Sequence, residues 1–160
     1  MRTSMQQGPE IWIRGPVTAP GATGRAGRRS WVGTHGGAGV TTLAEVYGGH
    51  DCGRDWPGAG DPASVLLVAR THAAGLAAAV RALDAFRQGG APPGLELCGV
   101  VLVADAPGRL PRPLAQRVKL IEASVDVHRV PWVPAWRLGE LDGAPPRGTE
   151  ALARLTGADR

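Results

Sequence analysis

Three glycines set as Gly36-Gly37-Ala38-Gly39 restrict this chain more than any other feature. They lie between a short apolar run, Ser30-Trp31-Val32-Gly33, and a helix-forming stretch from about Val40 to Tyr47. Glycines at this spacing let successive backbone N–H groups turn inward, and the following helix N-terminus adds the positive end of its dipole. A strand, a loop of this kind and a helix open a layered α/β unit, so the remainder must supply the sheet.

The rest of the sequence has the alternation that such a sheet needs. Ser64–Arg70 (SVLLVAR) is a continuous apolar run, as expected of a parallel strand covered on both faces. From Ala73 to Arg87, Leu76, Val80, Leu83 and Phe86 recur at helical spacing, and Gly89-Gly90 ends the pattern. Leu95–Ala104 reads as another strand, ending at Asp105-Ala106-Pro107-Gly108. Leu114, Val118 and Ile121 make one stripe of a helix over 113–123, Val125–Val133 reads as a strand, and a short helix over about 149–155 follows. Residues 48–63 read as loop throughout, because Gly, Asp and Pro dominate them.

Charge separates residues 1–29, a flexible leader rich in Gly, Pro and Arg, from a single domain over 30–160. Residues 1–30 hold five arginines against Glu10 alone, while the remaining residues carry 13 basic and 13 acidic side chains. A neutral domain argues against a broad phosphate-tracking surface, so nucleic acid is not the expected partner. The basic arm with Arg28-Arg29 leaves a nucleic-acid adaptor as an alternative. Within the leader, Ile11-Trp12-Ile13 reads equally as part of a floppy segment or as a docking strand. No apolar run reaches the roughly 20 residues a membrane span needs, and no secretory signal is legible, so a cytoplasmic protein is expected. Cys52 and Cys98 are too few for a disulfide framework. His50, His72 and His128 show no metal-ligand spacing with either cysteine.

The loop departs from the usual phosphate pattern GxxxxGK[ST]. Thr34 stands at the first glycine, and Val40 stands where the lysine reaches the outer phosphates. Thr41 and Thr42 keep the hydroxyl that holds Mg²⁺. As a whole, His35-Gly36-Gly37-Ala38-Gly39-Val40-Thr41-Thr42 resembles the deviant P-loop KGGxGKTT of the ParA/MinD family of partitioning and cell-division ATPases. SVLLVARTHAAGLAAAVRAL, GVVLV and VPWVPAWRLGE resemble later elements of that family. Trp31 to about Leu141 is also similar to a small group of actinobacterial P-loop-like proteins of ATP/GTP-binding type. The resemblance implies a compact P-loop NTPase-like α/β domain with a mostly parallel sheet, and ATP or GTP with Mg²⁺ as the cofactor. Both of that family's lysines are replaced, by His35 and Val40.

The same resemblance gives Asp105 two readings, an Mg²⁺-side carboxylate partnering Thr41 or a contact to the base, while Asp105-Ala106-Pro107-Gly108 also reads as an ordinary turn. In the family pattern a carboxylate-bearing strand precedes the strand at Ser64–Arg70. The short Gly48–Ala63 stretch leaves no room for it. Five of the seven aromatic residues are tryptophan. Trp132 and Trp136 follow a strand, where they either pack over the sheet end or join Arg109, Arg112 and Arg137 in a partner surface. The expected function is a lysine-less pseudo-NTPase acting as a protein-binding regulatory or scaffold subunit. Its partner is expected to be a larger ATPase or a secretion- or partition-type assembly. The alternative is an active ATP/GTP switch, with the missing lysine supplied in trans or by an arginine such as Arg70 or Arg109.

Overall fold

The computed structural model describes residues 28–158, so the Ile11-Trp12-Ile13 segment lies outside the described residues. In chain order the elements are β1 (Ser30–Gly33), α1 (Val40–Tyr47), β2 (His50–Asp51), β3 (Ser64–Arg70), α2 (Ala73–Arg87), β4 (Glu96–Val103), α3 (Arg112–Glu122), β5 (Val127–Val130), α4 (Pro134–Arg137) and α5 (Glu150–Thr156). The five strands form one sheet in the order β2-β1-β3-β4-β5, and every pairing is parallel.

Apolar runs make this sheet a middle layer. Strand side chains alternate between faces. On one face Trp31, Leu66, Val68, Val101, Val103 and Val130 meet Leu43 and Tyr47 of α1 and Leu152 of α5. On the other, Val32, Val65, Leu67, Val100 and Leu102 meet Leu76, Ala79 and Leu83 of α2 and Val118 and Ile121 of α3. The architecture is therefore α/β in three layers. Truncating a fully buried residue such as Leu66 to alanine costs about 2–5 kcal/mol.

The departures from the sequence expectations are local. Within 48–63, His50 and Asp51 pair with Ser30 and Trp31, so the supposed loop contributes the edge strand. Two residues amid glycines and aspartates carry no apolar pattern that would betray a strand. The stretch Val125–Val133 shortens to β5, because Pro131 and Pro134 cannot donate ladder hydrogen bonds, and the chain then turns into α4. On α2, Val80 is 44% exposed. The residues the helix buries are Gly75, Leu76, Ala78, Ala79 and Leu83. Among the described residues no helix is long and apolar enough to cross a membrane.

The last helix is fastened to the first by one buried bond. The Tyr47 hydroxyl donates to Thr149 Oγ1 at 2.7 Å, and Thr149 in turn donates to the Pro146 carbonyl. Burial pushes the Tyr47 phenol above its ordinary value of 10.0; the Thr149 bond opposes this and the Glu150 charge adds to it. The folded state thus holds the phenolic proton more tightly than the unfolded chain does. Stability from this site is complete below about pH 10 and is lost as pH rises through the folded value. In urea titrations, Tyr47→Phe should cost about 1 kcal/mol at neutral pH and should remove this component of the alkaline stability loss. An unchanged alkaline profile in the variant would show that Tyr47 is not its source.

Candidate functional site

An all-parallel sheet gathers the C-terminal ends of its strands along one edge, where ligands of α/β folds bind. Here that edge brings together Thr34, Arg70-Thr71, Ala104-Asp105 and Pro131-Trp132, which follow or end β1, β3, β4 and β5. The loop His35–Gly39 leaves β1 at this edge and enters α1 through Gly39, whose φ of 107° suits glycine and strains other residues. No side chain caps α1, so its first-turn N–H groups remain available at the loop mouth. Gly36 and Gly37 have open space above them.

His35 does not fill the place of the first lysine. Its Nε2 accepts the backbone N–H of Arg70 at 3.0 Å, and Nδ1 faces the Gly36 carbonyl at 2.9 Å, so the proton sits on Nδ1. The ring packs against His72, which caps α2 by accepting the Gly75 N–H. Gly75 has no room for a side chain, since a Cβ there would strike the Arg70 carbonyl and lie 3.0 Å from His35 Nε2. His35 is thus a pin between loop, β3 and α2. Thr34 adds a second pin, its hydroxyl donating to the Val68 carbonyl at 2.9 Å.

Val40 is buried in the core and sits against Gly33. The cation at the loop mouth comes instead from β3. Arg70 donates from Nε to the Gly37 carbonyl at 3.1 Å and from Nη1 to the Ala104 carbonyl at 3.2 Å. Its Nη2 lies 3.6 Å from where a Cβ on Gly39 would stand. Together with Gly39, Thr42, Ala104, Trp132 and Trp136, it lines a cleft of about 110 Å³. That is room for a phosphate-sized group; whole-ligand pockets usually exceed about 300 Å³. Through Ala104, Pro131 and Trp132 the cleft adjoins an open groove of about 1070 Å³ along α3.

The Thr41 hydroxyl donates to Asp51 Oδ2 at 2.9 Å, and Asp51 Oδ1 accepts the Gly53 N–H. The acidic partner of Thr41 is therefore on β2, at the position the sequence reading left as loop. Asp105 follows β4, three strands from β2 in the sheet order. Its backbone N–H bonds Thr71 Oγ1, and the residue lines the larger groove. Of the residues expected to form a partner surface, Arg109 and Trp132 share that groove, and Arg137 stacks over Trp132 at 5.4 Å. Trp136 is half-buried against the core beneath the small cleft. Arg112 and Gln116 line an adjoining groove that shares Leu110, Ala115 and Lys119 with the larger one. Elsewhere, burial lowers the His128 pKa against the Asp126 charge. Burial raises that of the Cys52 thiol; a bond to Ser30 opposes this, and the charges of Asp61, Asp51 and Asp55 add to it.

With this geometry in view, comparison with known proteins gives a family match over residues 29–156, to the Family of unknown function (DUF6668). The chain belongs to this family. No curated protein matches it. Similar solved structures include the cell division ATPase MinD of Pyrococcus furiosus, 22% identical with a TM-score of 0.40, covering 61% of this chain and 42% of that one. Another is the septum site-determining protein MinD, complexed with Mg-ADP, from Pyrococcus horikoshii OT3. It is 20% identical with a TM-score of 0.39, covering 73% of this chain and 52% of that one. The DUF6668 chain thus spans about half the length of these structures.

The pin at His35 is open to test. His35→Ala leaves the Arg70 N–H without its acceptor in a half-buried place, and should lower unfolding free energy by about 1–3 kcal/mol in urea titrations. A loss below a few tenths would show that the loop is held by other contacts.

Proposed function

We propose that this domain is a lysine-less, ParA/MinD-like pseudo-NTPase that holds a phosphate group of ATP or GTP without hydrolysing it and acts as a regulatory or scaffold subunit. The observation that carries this reading is Arg70: its guanidinium lies across the glycine loop while Val40 is packed into the core. Bonds from an ionised donor are worth about 1.5–3 kcal/mol, enough to replace part of what a lysine contributes. Thr41 and Asp51 are the pair suited to hold Mg²⁺, which would neutralise phosphate charge when bound. Two of the Arg70 donors are already committed to the Gly37 and Ala104 carbonyls, which limits how far the group can follow charge during phosphoryl transfer.

In the same reading a protein partner, such as a larger ATPase or a secretion- or partition-type assembly, engages the groove lined by Arg109 and Trp132 beside Arg137. Arginine and tryptophan are the commonest energetic anchors of interfaces. The bacterial, cytoplasmic setting belongs to this proposal too. The basic arm of the nucleic-acid alternative lies outside the described residues except for Arg28 and Arg29.

Calorimetry with ADP or ATP and Mg²⁺ tests the phosphate site. Arg70→Ala should weaken binding by about ten- to a hundredfold, the ratio equivalent to one charge-assisted bond. Equal affinity in the variant would sink the proposed role of Arg70. Phosphate release by the unaltered protein should not exceed a buffer blank. The rival reading, an active switch with Arg70 in place of the lysine, expects turnover that Thr41→Ala abolishes.

A further inference from the structure

The edge segment between β2 and β3 brings together three side chains that the sequence leaves apart. The His50 Nε2, Cys52 Sγ and Asp61 carboxylate oxygen lie within 4.8 Å of one another, all half-buried. The geometry points to a divalent transition-metal site here, of the kind that suits Zn²⁺, with these three residues as ligands and a fourth position left for water. Its three ligands are distinct from the residues proposed for the phosphate site.

The donor set is chemically specific. One imidazole, one thiolate and one carboxylate are the ligands a borderline ion such as Zn²⁺ takes, whereas Mg²⁺ and Ca²⁺ take oxygen. The spacing also fits. His50 Nε2 and Asp61 Oδ1 are 3.3 Å apart, and tetrahedral bonds of about 2.0–2.2 Å to nitrogen and oxygen place two ligands about 3.3–3.5 Å apart. A plain His–Asp ion pair would have the same separation, but it would not place a thiol beside both groups.

The scaffold around the ligands is fixed by hydrogen bonds. Asp61 Oδ2 accepts the Gly58 N–H at 2.9 Å, leaving Oδ1 directed to His50. The buried Ser30 hydroxyl donates to the Pro62 carbonyl at 2.7 Å and holds the chain just after Asp61. Backbone N–H groups of His50 and Cys52 donate to the Arg29 and Trp31 carbonyls, placing both on the sheet edge. Asp51 and Asp55 also lie close enough to act on the Cys52 thiol by charge, a field that favours a cation. Capture of the ion releases the thiol proton to solvent. It would also steady β2, whose Asp51 holds Thr41.

Untagged protein stripped with a chelator and titrated with Co²⁺ tests the site. A single equivalent should develop a thiolate-to-cobalt charge-transfer band that Zn²⁺ then displaces. Cys52→Ser should remove the band and Cys98→Ser should keep it. His50→Gln and Asp61→Asn should each weaken Co²⁺ binding by at least about tenfold while circular dichroism stays unchanged. If Cys52→Ser does not fold, these two variants carry the test. No band at saturating Co²⁺, a band surviving in folded Cys52→Ser, or unweakened binding in both other variants would overturn the assignment.

Discussion

Burial of β3 on both faces is the constraint from which the rest of the architecture follows. Val65 to Ala69 are all fully enclosed, so the strand needs hydrogen-bonding partners on both edges and apolar cover above and below. β1 and β4 meet the first need, and the helices of the two outer layers meet the second. Where such a strand ends, polar groups must emerge together. Arg70 and Thr71 emerge at that point, and each reaches sideways: Arg70 to the glycine loop after β1, and Thr71 to the chain after β4. The site is a consequence of where the buried strand stops.

Much of this was legible from residue pattern. The run SVLLVAR, the stripes of α2 and α3 and the glycine loop each carry a strong periodic or steric signature, and the sheet built from them is parallel. What escaped notice had no such signature. β2 is two residues long and lies among glycines, so its pairing is set by the Arg29 and Trp31 carbonyls rather than by its own side chains. Asp51 was hidden for the same reason. Sequence spacing could not join His50 and Cys52 to Asp61, because the closeness comes from a turn held by the Gly58 N–H. The absence of ligand spacing along the chain was a weak guide to the cluster in space.

The role of His35 shows how a motif position can mislead. Aligned with a lysine, it invites an electrostatic part. The structure gives it an acceptor's part, receiving the Arg70 N–H. Thr34 follows the same logic. In place of a glycine, it closes the start of the loop with a hydroxyl bond to the Val68 carbonyl. Both residues attach the loop to β3.

Val40 and Arg70 belong to one exchange. A lysine at the head of α1 must carry its charged end back over the loop, which leaves its first carbons to fill the space beside Gly33. Valine fills that space and stops, its methyl 3.0 Å from where a Gly33 side chain would begin. Without Arg70 the loop mouth would lack this cation, and the Gly37 and Ala104 carbonyls would lose the donor they share. Arg70 has a planar group whose several donors can bond both carbonyls at once, which a lysine cannot match in geometry. The arginine therefore stabilises the loop as well as charging it. An anion arriving at the nest meets a donor array that is already assembled, and must compete with only two backbone carbonyls for it. On the function proposed above, that arrangement favours holding a phosphate over moving one.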